Sequence, residues 1–217
     1  MKNKQKIARI VIMGLLTAIL VVMSFTPLGY LNIGPLSITL NIIPVAVAAL
    51  TMGPVGGAAV GAVFGLTSFL QCVGIGLPSP FGVALFGISP LFTIITCFVP
   101  RILDGLLLGY INKFVSKISN GFVSCFVTGF AAAFLNTLFF MTTLMLLFGK
   151  TELIMDMRGE MNILAFMCAF VGVNAIFEIV ASTIFTGAVG TALLKAKLIP
   201  NFKTTEAIRS KSYDLSN

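Results

Sequence analysis

Arg101 and Asp104 stand three residues apart in LFTIITCFVPRILDGLLLGYI (91–111), a run otherwise apolar enough to lie in hydrocarbon. A charged side chain at the centre of a bilayer costs roughly 3 kcal/mol even on the mildest insertion scale, and such groups ordinarily mark ligand or ion pathways. Asn136, Asn174 and Glu178 occupy two later apolar runs. Counted from the outer ends of their segments at about 1.5 Å per residue, Arg101, Asn136 and Asn174 all fall roughly 17 to 19 Å deep. Asp104 and Glu178 fall one helical turn lower, on the faces of Arg101 and Asn174 respectively. Two arrangements fit this layering. In one, Arg101 pairs with Glu178 or Asp104 and the asparagines bond across helices, in a purely structural cluster. In the other, the same groups line a pocket open to the outer side, with the acids below orienting an arginine whose upper face meets a ligand. One guanidinium against two carboxylates permits an anionic ligand without requiring one.

Other chemistries find little support. The chain has no histidine, and Cys72, Cys97, Cys125 and Cys168 lie in separate apolar runs without a CxxC pair, so metal or redox chemistry is not expected and the cysteines read as buried free thiols. Without a nucleophile beside a base, an intramembrane enzyme is not expected either. LFGKTEL contains Gly149-Lys150-Thr151, but a phosphate loop needs a glycine where Leu144 stands. Any ATP used in this protein's function must therefore be hydrolysed by another subunit.

The elements that hold these residues are membrane helices. Of the 217 residues 58% are hydrophobic and only 10% charged, against about a quarter charged in soluble domains. The apolar residues form long runs with short polar breaks, which predicts an all-α membrane protein, a single bundle over 1–195 with a polar cytoplasmic tail over 196–217. A window of about 19 residues places six spans at 7–25, 37–52, 55–73, 88–115, 121–148 and 163–194. The second and third are joined only by Gly53-Pro54 and form a tight hairpin. MKNKQKIARI… resembles a secretory leader in charge, but its apolar part is too long and lacks a small-residue cleavage site, so it reads as a retained span.

With the N-terminus inside, Lys2, Lys4, Lys6, Arg9, Lys113, Lys117, Lys195, Lys197, Lys203, Arg209 and Lys211 face the cytoplasm and only Lys150 and Arg158 lie outside. This bias is the positive-inside pattern, and it accounts for the net charge of +7 without nucleic acid. Two outer loops, 26–36 and 74–87, are rich in Gly and Pro yet apolar, as expected of a lid folded over the bundle. The third, KTELIMDMRGEMN, reads as a solvated connector. Gly57, Gly61 and Gly65 recur every four residues and cut a groove for a neighbouring helix, within this bundle or from outside it. Gly14 and Ala18 repeat the pattern more weakly on the first span, where a separate protein is as plausible a neighbour.

The stretch FTPLGYLNIGPLSITLNIIPVAVAALTMGPVGGAAVGAVFGLTSFL, then SPF, VPRI, Asn136-Thr137 in FLNTLFF, and VNAIFE on the last span, together resemble the S-components of energy-coupling factor (ECF) vitamin transporters, most closely the pantothenate-type branch. The resemblance covers about residues 7 to 195. It implies six helices of the S-component type, a vitamin pocket capped by outer loops, and docking through the first helix, at Gly14 and Ala18, onto a transmembrane scaffold subunit with two ATPase subunits. No cofactor is implied for this chain itself, since ATP is used by those partners. For pantothenate, the resemblance and the depths together assign Arg101 to the carboxylate and Asn136 and Asn174 to the amide or hydroxyls, with Glu178, Thr39, Asn41 and Gln71 as further lining candidates and Asp104 as charge-pair support. The alternatives are an S-component for another vitamin such as folate or riboflavin, an ion-coupled transporter acting alone through Asp104 or Glu178 with a helix interrupted at Pro100, and a structural partner protein without a ligand.

Overall fold

A computed structural model of the protein describes residues 2–27, 29–32 and 37–199. Met1 and most of the expected tail, with Lys203, Arg209 and Lys211, lie outside the described residues, as does part of the first outer loop. The elements in chain order are α1 (Lys2–Ser24), β1 (Tyr30–Asn32), β2 (Ser37–Thr39), α2 (Ile42–Cys72), α3 (Pro80–Ile88), α4 (Pro90–Ile118), α5 (Gly121–Phe148), α6 (Glu152–Arg158) and α7 (Ile163–Lys195). Five of these helices are long and apolar enough to cross a membrane.

The expected tight hairpin lies inside α2. Gly53 has φ 74° and breaks the helix, and Pro54 opens the second limb at a position where a missing N–H costs nothing. In a straight helix, residues eight apart are separated by about 12 Å. Here a Cβ on Gly57 would lie 3.0 Å from the Ala49 Cβ, so limbs 42–52 and 54–72 run antiparallel side by side. Counting both limbs, six helical segments form the bundle, as the sequence predicts. The first limb is shorter than expected, at about 16 Å for eleven residues. Ser37–Thr39 belongs instead to β2, which pairs antiparallel with β1 in the register Tyr30↔Thr39, Leu31↔Ile38 and Asn32↔Ser37.

The outer connections hold more structure than expected. Two Ser-Pro pairs start helices: Ser79 accepts from the Gly82 N–H and Ser89 from the Phe92 N–H, with Pro80 and Pro90 in the first turns. Serine satisfies an orphan N–H while proline supplies a φ already suited to the helix. The connector after α5 folds into α6, whose Ile154 is buried against Phe148 and Phe166. Asn120 and Asn162 cap α5 and α7 in the same manner.

Packing follows the small residues. α2 lies most extensively against α4, and α5 against α7 and α4. Cβ atoms on Gly57, Gly61 and Gly65 would run into Gly105, Arg101 and Cys97 respectively, so the glycine stripe is filled within this chain, by α4. Gly105 and Gly109 return the contact, against Gly57 and Pro54. Two backbones can touch only where neither carries a side chain, and in lipid such close packing replaces the hydrophobic drive between helices. Outward-facing residues such as Leu66, Phe114, Phe134 and Ile184 remain exposed, as lipid contact requires.

Candidate functional site

The arginine of α4 sits where two helices have been drawn together by glycine. Arg101 is 9% exposed, and its backbone carbonyl lies against Gly61 of α2. Its side chain runs back toward the start of α4, the direction helical side chains favour, and Nη1 donates to the Thr96 carbonyl at 2.6 Å. The guanidinium carbon lies 5.4 Å from the centre of the Phe64 ring and 5.0 Å from that of Phe140. Desolvated cation–ring contacts of this kind contribute about 2 kcal/mol.

The expected pairing with acids is not what holds the arginine. Among the described residues neither Asp104 nor Glu178 forms an ion pair with Arg101, and the two acids attract it only at longer range. Asp104 is fully buried, with both carboxylate oxygens lacking a hydrogen-bond partner. The physical reason is direction: Arg101 points up its helix, away from a residue one turn below. Glu178 is engaged elsewhere. Its Oε1 accepts the backbone N–H of Thr39 at 2.7 Å. The carboxylate thereby ties β2 to α7.

These groups surround a cavity of about 260 Å³. Arg101, Asn136, Asn174, Glu178, Thr39 and Gln71 all line it, as expected from their depths. Gln71 also pins α1, its Nε2 donating to the Ser24 carbonyl at 2.6 Å. Two expected residues do not reach the cavity. Asp104 lies outside the lining, and Asn41 is fully buried outside it, close to Gly29. With Asp104 removed from the wall, the lining carries one guanidinium and one carboxylate, rather than an excess of acid.

Several lining residues were not anticipated. Phe64, Phe140 and Thr137 are foremost, and Thr93 and Thr96 add hydroxyls from α4. The i, i+4 spacing of Asn136 and Phe140 was the available signal for the ring, since both occupy one face of α5. Cys72 and Cys97 also line the cavity, their sulfurs 3.7 Å apart, whereas Cys168 is exposed rather than buried. At the mouth, Pro27 from the first outer loop and Leu77, Pro78 and Phe81 from the second and α3 supply an apolar rim. The two loops expected to form a lid therefore do wall the cavity.

The arrangement suits a small ligand with a carboxylate and several hydrogen-bonding groups. The site offers one charged fork, three side-chain amides, hydroxyls and a fixed acceptor, framed by apolar walls. Residues 8–191 match the family described as ECF transporter, substrate-specific component. The chain belongs to that family. It is a multi-pass membrane protein and the substrate-specific part of a transporter. This S-component is 30% identical over 208 residues to the pantothenic acid transporter PanT of Lactococcus lactis subsp. cremoris (strain MG1363), covering 90% of this chain and 98% of that one. It is also 30% identical over 202 residues to the pantothenate transporter PanT of Leuconostoc mesenteroides subsp. mesenteroides, covering 88% and 95%.

The Glu178 bond to β2 is a testable anchor of the strand. Glu178→Ala leaves the buried Thr39 N–H without its acceptor, a loss of about 1–3 kcal/mol. Hydrogen exchange at the Thr39 amide will accelerate by roughly tenfold or more. Exchange as slow as in the unaltered protein would show that β2 is held by other contacts.

Proposed function

We propose that this S-component captures pantothenate from outside the cell and delivers it through a scaffold subunit driven by two ATPase subunits. The observation that carries the reading is Arg101, which, among the described residues, is the lone cation lining the cavity. Its guanidinium receives the pantothenate carboxylate, Asn136 and Asn174 meet the amide and hydroxyls, and Glu178 and Thr137 accept or share a hydroxyl proton. The pantothenate transporters among the relatives support the same substrate.

Orientation follows from charge. Lys2, Lys4, Lys6 and Arg9 begin α1, Lys113 and Lys117 close α4, and Lys195 ends α7, all at the end of the bundle remote from the cavity. The positive-inside bias supports a cytoplasmic N-terminus and C-terminus and a cavity reached from outside. α1 offers the surface for the scaffold. Gly14 and Ala18 are exposed beside Val11 and Leu15, and a Cβ on Gly14 would meet nothing within 4 Å. ATP is bound by the partner subunits rather than by this chain.

The test is binding of radiolabelled pantothenate to the purified protein beside a panel of other vitamins. Saturable pantothenate binding is expected. Binding of folate or riboflavin in its place would replace the substrate, and binding of no vitamin would overturn the reading. For docking, Gly14→Val will leave pantothenate binding intact while reducing both co-purification with the scaffold and ATP-driven uptake by tenfold or more. Unimpaired assembly would move the docking surface away from this face.

A further inference from the structure

Pro100 immediately precedes Arg101, and α4 passes through it as one helix from Pro90 to Ile118. A proline inside a helix has no N–H to give to the carbonyl four residues earlier, and its ring pushes that carbonyl outward. Four residues before Pro100 is Thr96. Its residue is 2% exposed, so the carbonyl has little access to water. Arg101 Nη1 takes the place of the missing donor, at 2.6 Å.

The same helix holds a competitor for the guanidinium. Asp104 lies within one turn of Arg101, fully buried, with both oxygens lacking partners. A carboxylate in that position is a stronger attraction for an arginine than a neutral carbonyl. Yet the two form no ion pair, and the arginine is drawn the other way, toward the cavity and between Phe64 and Phe140.

We infer that Pro100 is a positioning residue for the ligand-binding arginine. By withholding its N–H from Thr96, it creates an acceptor above Arg101 that holds the guanidinium up in the cavity and out of reach of Asp104. An arginine paired with Asp104 would be neutralised and lowered away from the ligand. With alanine at position 100, the helix supplies its own donor to the Thr96 carbonyl. The tether on Nη1 is then displaced, and Asp104 becomes the preferred partner.

This inference rests on the assignment of Arg101 to a ligand carboxylate, so its test separates the two. Unaltered protein, Pro100→Ala and Pro100→Ala/Asp104→Asn are titrated with pantothenate and with pantothenol, in which an alcohol replaces the carboxylate. In the unaltered protein pantothenate must bind more tightly than pantothenol, and equal affinities would overturn the assignment of Arg101 itself. Given that preference, Pro100→Ala is expected to weaken pantothenate by tenfold or more and pantothenol by less than threefold. Adding Asp104→Asn should recover at least half of the loss on a logarithmic scale. Modification of Arg101 by phenylglyoxal, read by peptide mass spectrometry without ligand, should slow in Pro100→Ala and recover in the double variant. Equal loss for both ligands, no loss for either, an absence of recovery, or unchanged phenylglyoxal reactivity would each overturn the positioning role. Thermal unfolding of Pro100→Ala at or above that of the unaltered protein excludes misfolding as the cause.

Discussion

Replacing Arg101 by alanine will lower pantothenate affinity by about 2–5 kcal/mol, the usual result of removing one partner from a buried charged contact. That corresponds to a Kd raised roughly 30-fold to several thousandfold. The effect is large because the ligand carboxylate leaves water for a cavity whose other polar groups are neutral amides and hydroxyls and a carboxylate, none of which replaces a cation. Arg101→Lys will recover little. A lysine has no planar fork with which to hold the Thr96 carbonyl and engage a carboxylate at once, and it stacks less well between Phe64 and Phe140. Equilibrium binding of labelled pantothenate to folded variants measures this, and an Arg101→Ala protein that binds as tightly as the original would exclude the arginine from the site.

The second large effect lies in the helix contact beneath the cavity. Gly61→Val places branched carbon where the Arg101 carbonyl now sits, and the obstruction is backbone rather than a side chain that can turn aside. α4 must move off α2, which costs about 1–3 kcal/mol for overpacking and carries Arg101 with it. The variant is expected to unfold at lower temperature in detergent and to lose pantothenate binding together with its stability. Gly14→Val provides the contrast, since the added side chain on α1 faces open space and should leave the melting temperature unchanged. If Gly61→Val melts and binds like the original, the glycine stripe is not the contact that sets the position of α4.

Much of this architecture is legible in the sequence. Apolar runs separated by short breaks specify membrane helices because lipid offers no partner for backbone polar groups. Gly53-Pro54 specifies the reversal within α2, since a positive φ and a missing N–H both suit the turn. Depth counting brought Arg101, Asn136 and Asn174 to one level with Glu178 a turn below, and the cavity takes in all four, together with Thr39 and Gln71 from nearer the helix tops, because helical rise fixes depth to within about a turn. The β1–β2 pair was less legible because each strand is three residues long, too short for an alternating pattern to register, and α3 because its residues are as apolar as the helices beside it.

What the sequence by itself determined was the depth of each polar group, the helices that carry them, and the stripe on which α2 receives α4. Tertiary structure alone decided direction. Depth placed Arg101 a turn from Asp104, but only the Thr96 carbonyl that accepts from Arg101, the rings of Phe64 and Phe140, and the Thr39 N–H that occupies Glu178 determined which way the guanidinium and Glu178 would turn. A linear pattern records spacing along one helix. The choice among competing partners in a low-dielectric interior depends on atoms brought in from other helices, and those are fixed only when the helices meet.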